Sequence, residues 1–279
     1  MQLTSVNEKQ EYTLSDSKIL SLPLPKPTDR ECAFILGVRK SGSTLLNKII
    51  IDLCKYNNLP YFSIAEHAFQ QNLRFKDWTR AQELQEVIKD GIIYSGFRAL
   101  PLFLASNELF NQRKKILLVR DPRDAIVSQF FTVAFNHSIP KESSVNANGA
   151  REELLNKREL VKNQPIDEYV IKNAVGLRNT LRAYLKFIDS PLTLVFRYED
   201  VLLNKKPWIQ EIAQFLNLEA NETIVQKILD RVDIVPDKEN PKNFIRKAVP
   251  GDHKNKLQPE TIEQLNEIFA EVLTQFNYS

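Results

Sequence analysis

Apolar positions along the chain fall into two alternating rhythms. Short, mostly apolar runs at residues 32–38, 92–97, 115–119 and 192–196 read as strands buried on both faces. Between them, apolar residues recur three and four apart. Ser43–Tyr56 carries Leu45, Leu46, Ile49, Ile50 and Leu53 on one side, the spacing of a helix that buries one face. Residues 124–135, 166–188, 208–216, 222–230 and 259–276 repeat that spacing. Such strands alternating with helices predict the α/β class, a three-layer fold with a central parallel sheet.

Some stretches keep neither rhythm. Residues 1–30 are polar and then proline-rich and read as an N-terminal arm, leaving residues 31–279 as a single domain without internal repeats. Residues 137–165 are rich in Ser, Asn and Lys, and residues 237–253 mix charges with Pro and Gly. Both read as long loops, the kind that often serves as lid or binding loop, and the first as an insert.

Composition narrows the class of partner. Of 279 residues, 43% are hydrophobic and 26% charged, as in ordinary globular proteins. A net charge of +3 gives no sign of a nucleic-acid partner but suits a ligand carrying several phosphates. The first residues lack an apolar core, and no run approaches the roughly 18 apolar residues that cross a bilayer. No membrane span and a cytoplasmic location are therefore expected. Cys32 and Cys54 sit in apolar segments without a CxxC or Cys/His cluster, so they read as reduced, buried, structural thiols.

Chemistry enters at two strand ends. Gly37-Val-Arg-Lys40-Ser41-Gly42-Ser43-Thr44 joins the first strand to the first helix. It resembles the phosphate loop GxxxxGK[ST], but Ser43 takes the lysine position and Lys40 comes earlier. Backbone N–H groups and a helix N-terminus still suit phosphate oxygens, with hydroxyls from Ser41, Ser43 and Thr44. The displaced lysine disfavours a nucleoside-triphosphate hydrolase or kinase. A plain strand-to-helix turn built from small residues is the alternative. In the second motif, Arg120 ends a strand, Asp121 is an N-cap, Pro122 opens a helix and Asp124 has capping-box spacing. Arg120 thus leaves the carboxyl end of the sheet, where ligands of open α/β folds bind, with Ser128 two turns on. The pair suits a terminal phosphate. Pairing of Arg120 with a local carboxylate is the alternative.

Together these motifs resemble the PAPS-dependent sulfotransferase family. Lys40-Ser-Gly-Ser-Thr44 is similar to its 5′-phosphosulfate loop, K-S-G-T-T-W, and Arg120 with Ser128 has its 3′-phosphate spacing. Arg197-Tyr-Glu-Asp200 resembles its RYED segment, and Arg246-Lys247-Ala-Val-Pro-Gly251-Asp252-His-Lys254 resembles its RKGxxGDWK signature. The four motifs, in order, span residues 33–254.

The resemblance implies in-line transfer of a sulfuryl group from PAPS to a hydroxyl or amine of a small-molecule acceptor, releasing PAP, with no metal. It implies that Lys40 contacts the 5′-phosphosulfate and neutralises the bridging oxygen. Ser41, Gly42, Ser43 and Thr44 would hold the 5′-phosphate. Arg120, Ser128, Arg246, Lys247 and the backbone of Ala248 would grip the 3′-phosphate, with Tyr198 near the adenine. Three positions depart from the family: Leu45 and His253 stand where tryptophans are usual, and Ala248 stands for glycine.

The base is less plainly marked. In Arg98-Ala99-Leu100-Pro101, alanine stands where the family's T-H-L-P segment has histidine. Glu66 occupies a place where other branches carry a glutamate, and His67 and His137 are further candidates for taking the acceptor's proton. Arg98 is read either as an acceptor contact or as half of a salt bridge. A kinase or NTPase, and a catalytically inactive nucleotide-binding module, are the alternative functions. Residues 61–78 and 137–165 are expected to choose the acceptor. Phe62, Phe69, Phe75, Phe130, Phe131 and Phe135 favour an apolar one, or simply pack the core.

Overall fold

The protein is described by a computed structural model covering residues 9–14, 17–136, 138–140, 149–232 and 249–278. Strands β1 (Lys9–Thr13) and β2 (Ile19–Pro23) pair as an antiparallel ribbon. Strands β3 (Ala33–Gly37), β4 (Tyr61–Phe62), β5 (Ile93–Phe97), β6 (Lys114–Val119) and β7 (Thr193–Arg197) form a parallel sheet in the order β4-β5-β3-β6-β7. The first helices are α1 (Ser43–Tyr56), α2 (Ile64–Gln70), α3 (Phe75–Trp78), α4 (Leu102–Ala105), α5 (Glu108–Gln112) and α6 (Pro122–Phe131). Then come α7 (Ala150–Lys162), α8 (Ile166–Leu185), α9 (Tyr198–Val201), α10 (Lys205–Phe215), α11 (Glu222–Val232), α12 (His253–Lys256) and α13 (Pro259–Gln275).

Every residue of β3 is buried. Because successive side chains of a strand point to opposite faces, Phe34 and Leu36 enter one core and Ala33 and Ile35 the other. Helices α6, α8 and α13 cover the first face, and α1, α10 and α11 the second. This is the expected three-layer α/β architecture. Its topology also places a crevice. From β3 the chain passes through α1 to β4 and β5 on one side, whereas from β6 it passes through α6 towards β7 on the other. The turns leaving the neighbouring strands β3 and β6 therefore diverge, and ligands of open sheets bind at such a switch point.

Three elements differ from expectation. Within the segment read as a polar arm, β2 buries Leu20 and Leu22, and Ser21 exchanges two hydrogen bonds of 2.8 Å with Gln71 of the loop after α2. Part of the segment read as a loop insert is helix α7. Its Glu, Arg, Leu and Lys residues are good helix formers, but only Ala150 and Val161 are buried, so no apolar stripe announced it. Its start docks on Asn72, which accepts from Ala150 N at 3.2 Å and from Arg151 N at 2.7 Å. Finally, α6 begins at Pro122 and is followed by a π-helical turn, Thr132–Asn136, where one regular helix was expected. Most of the loop read at 237–253 lies outside the described residues.

Candidate functional site

The turn after β3 is held tight by its own backbone. Gly37 leaves no room for a side chain, since a Cβ there would lie 2.7 Å from Ser43 Cβ. Both donors of Ser41 are spent on Val38 O, the N–H at 3.1 Å and the hydroxyl at 2.6 Å, so Ser41 shapes the loop from within. Lys40 (φ 67°) and Gly42 (φ 90°) adopt left-handed conformations. For a residue with a Cβ this costs about 1 kcal/mol or more, and such strain tends to gather at functional turns. No side chain caps α1, so its first N–H groups are left for a ligand to satisfy.

Arg120 leaves β6 and is 8% exposed. Its Nη1 donates to Lys40 O at 3.4 Å, its Nη2 lies 3.7 Å from Asp124 Oδ2, and its guanidinium sits 4.7 Å above the Tyr198 ring. Its Nε is buried without a hydrogen-bond partner. The two strand-end turns thus meet through Arg120. Both sequence alternatives for Arg120 therefore hold in part, because it adjoins a carboxylate and still keeps a donor unspent.

Asp124 gathers the C-terminal motif. It accepts from Gly251 N at 2.6 Å and His253 N at 2.9 Å, and lies 2.7 Å from His253 Nδ1. Burial pushes this carboxyl up, but the His253 hydrogen bonds and the Arg120 charge outweigh it and hold the group at about 2. The capping box expected from Asp121 and Asp124 is not closed. Asp121 does cap α6, accepting from Arg123 N at 2.9 Å, but its own N–H donates to Glu199 Oε1 at 3.0 Å. Asp124 turns instead to donors more than a hundred residues away, because a buried carboxylate is stabilised most where several donors converge. His253, where the family pattern has tryptophan, is 2% exposed, with Nε2 buried and unpartnered.

The RYED segment braces the same junction. Tyr198 packs against the turn so closely that a Cβ on Gly42 would lie 2.7 Å from its ring. Glu199 joins Asp121 N to Tyr278, whose hydroxyl donates to it at 2.9 Å, and burial lifts this carboxyl above the usual range. Arg197 makes a two-pronged pair with Asp200, at 2.7 and 3.0 Å.

The remaining expected residues are less closely gathered. Ser128 is half-buried in the second turn of α6. Glu66 is exposed in the first turn of α2, which Ser63 caps, and its carboxylate accepts from Gln70 at 3.3 Å. His67 is half-buried, its ring stacked 5.1 Å from that of Phe62, and burial lowers its pKa against the pull of Glu66. His137, Arg246, Lys247 and Ala248 lie outside the described residues. Of the phenylalanines, Phe62 and Phe130 pack in the core while Phe75 and Phe135 are exposed. Sequence reasoning passed over Arg39, whose guanidinium lies 5.8 Å from the Phe75 ring centre. Its one signal was its place beside Lys40. It also missed the partners of Asp124, for which the chain offers no local signal.

Known proteins share this arrangement of elements. A family profile described as the sulfotransferase domain matches residues 30–277. The 3-alpha-hydroxysteroid sulfotransferase of Cavia porcellus is 23% identical over 256 residues, covering 85% of this chain and 82% of that protein. Sulfotransferase 1C2 of Homo sapiens is 24% identical over 268 residues, covering 88% and 82%. The crystal structure of mouse sulfotransferase SULT7A1 complexed with PAP has the same fold, with a TM-score of 0.56 at 18% identity over 88% of this chain and 85% of that one.

Proposed function

The chain belongs to the sulfotransferase domain family, and from that premise we propose that it transfers a sulfuryl group from PAPS to a hydroxyl or amine of a small-molecule acceptor, releasing PAP. One observation carries the site assignment: Arg120 touches the Lys40 carbonyl while Asp124 holds Gly251 and His253 beside it. Three motifs far apart in the chain thus converge where the turns after β3 and β6 diverge. Such a junction fits a nucleotide phosphorylated at both ends. It offers an uncapped helix start beside Lys40 and a buried arginine Nε with no partner, which a phosphate oxygen would satisfy.

PAPS supplies the activated sulfuryl group when bound. The N–H groups of Gly42, Ser43 and Thr44 hold the 5′-phosphate in the turn that Ser41 shapes. The Lys40 ammonium offsets negative charge as it develops on the leaving side, the electrostatic role expected where little covalent chemistry falls to the protein. Arg120 and Ser128, with Arg246, Lys247 and the Ala248 backbone, grip the 3′-phosphate. Tyr198 lies between the two pockets and fixes the Arg120 plane. Glu66 is the first candidate to take the acceptor's proton and His67 the second. The lowered pKa of His67 keeps it neutral near pH 7, as a base requires. A kinase or an inactive binding module is less favoured, since the matched relatives are sulfotransferases.

We read residues 31–279 as one catalytic domain onto which the β1–β2 ribbon packs, and the cytoplasm as its place. Two free, buried thiols support a reducing compartment. The test of the activity is Lys40→Ala. PAPS turnover should fall about 100-fold or more, with the unfolding midpoint nearly unchanged. Undiminished turnover in that variant refutes the role of Lys40.

A further inference from the structure

The turn that ends α13 reaches the RYED segment. Its backbone forms a Schellman motif, in which Tyr278 N donates to Leu273 O at 2.8 Å and Asn277 N to Thr274 O at 3.2 Å. Asn277 sits at φ 55°, a left-handed conformation that asparagine tolerates better than most residues. Helix α13 is itself fixed on the first core by buried Leu265, Phe269, Val272 and Leu273. The turn therefore delivers one carbonyl and one phenol to a set place.

Both groups find partners there. Arg197 Nη1 donates to Asn277 O at 2.6 Å, and its guanidinium lies 5.6 Å from the centre of the Tyr278 ring. The Tyr278 hydroxyl donates to Glu199 Oε2 at 2.9 Å, and the other oxygen, Oε1, accepts from Asp121 N at 3.0 Å. Asp121 directly follows Arg120, and Glu199 directly follows Tyr198. Arg120 and Tyr198 are the stacked pair of the site, with the guanidinium 4.7 Å above the ring. One carboxylate thus ties the backbones beside these two residues, and the phenol holds its second oxygen.

Glu199 depends on these donors. Burial lifts its carboxyl above the usual range, while the hydrogen bonds from Asp121 and Tyr278 and the charge of Arg120 oppose the lift. Burial and the Glu199 charge push the Tyr278 phenol up, so it remains a donor at ordinary pH. The other charges nearby are engaged. Arg197 pairs with Asp200 at 2.7 Å, and the Asp121 carboxylate pairs with Arg123 at 2.7 Å.

We propose that Tyr278 and Glu199 are positioning residues of the 3′-phosphate pocket: the turn after α13 holds Glu199, Glu199 holds the backbones of Arg120 and Tyr198 in register, and Arg120 is thereby aimed at the phosphate. This rests on the sulfotransferase reading above and adds to it a residue, Tyr278, that lies outside every motif.

The experiment measures binding of PAP and of adenosine 5′-phosphate, which lacks the 3′-phosphate, by calorimetry on the full chain. Tyr278→Phe should weaken PAP about five- to tenfold, the contribution of one hydrogen bond, and adenosine 5′-phosphate by less than about twofold. The loss relative to wild type should grow as pH falls from about 8 to about 5, because Glu199 without its phenol donor takes up a proton at higher pH and then holds Asp121 less well. Comparison with wild type at each pH cancels the titration of the nucleotide itself. Glu199→Gln, which keeps an acceptor for Asp121 N–H, should lose less PAP affinity than Glu199→Ala. In Glu199→Ala, adding Tyr278→Phe should have no further effect.

Undiminished PAP affinity in Tyr278→Phe overturns the proposal. So does an equal loss for both nucleotides, which marks a merely structural role, a loss that does not change with pH, or additive losses in the double variant. If Tyr278→Phe does not unfold cooperatively, the two Glu199 variants decide, and equal losses in them count against the proposal. Wild-type protein that ignores PAP overturns both this inference and the reading beneath it.

Discussion

Asp124 is only 1% exposed yet stays ionised, because Gly251 N, His253 N, His253 Nδ1 and Arg120 all converge on it. Its folded pKa falls from 3.8 to about 2. A depressed carboxyl stabilises the fold above its unfolded pKa and loses that contribution as pH drops through the folded value. Asp124 should therefore contribute about 2 kcal/mol near neutral pH, lost progressively between about pH 4 and pH 2. Asp124→Asn should lower stability at pH 7 by about 2–4 kcal/mol in urea titrations, since Arg120 is left without its charge partner. The gap between variant and wild type should close as pH falls towards 2, and a gap of constant size would contradict the assignment. Lys40, Arg120 and Gly251 were legible in the chain as motif residues. The bond from Asp124 to Gly251 was not, because the two are 127 positions apart and nothing local at either end encodes the other.

The turn between β3 and α1 was legible as an element, because glycine spacing, small hydroxyl residues and an apolar strand all name the same local geometry. Its bracing was not. Gly42 has φ 90°, and a Cβ there would meet the Tyr198 ring at 2.7 Å, so two separate constraints act on one position. Gly42→Ala should cost about 2 kcal/mol in stability and weaken PAP binding measurably by calorimetry. In a Tyr198→Ala background the same substitution should cost less stability, recovering what is lost to the clash but not the backbone strain. Full recovery, or none, would show that the contact with Tyr198 is not what the glycine serves. Helix α7 marks the opposite case. Its helix-forming residues were present, but without an apolar face the periodicity that reveals other helices is silent.

At the scale of the molecule, the site lies between turns rather than on one element, so nucleotide binding should couple to global unfolding. PAP at about 100 times its dissociation constant adds about 2.7 kcal/mol of stability, which corresponds to a rise in Tm of roughly 5 °C. The rise should persist with a metal chelator present and shrink for adenosine nucleotides that lack the 3′-phosphate. A larger shift with ATP than with PAP would point away from Arg120 as a 3′-phosphate ligand.

The amino-acid sequence by itself determined the alternation of strands and helices, the three-layer class, the glycine turn between the first strand and the first helix, and the family signature. Each of these is written in residues near one another, where hydrophobic period, glycine conformation and helix-start chemistry act over a few positions. Only the tertiary structure decided which distant groups meet: Asp124 with His253, Tyr198 with Gly42, and Arg120 with the Lys40 carbonyl across neighbouring strands. Those meetings follow from strand order and from the direction each crossover takes. Burial then sets which charges are neutralised by partners and which are left for a ligand.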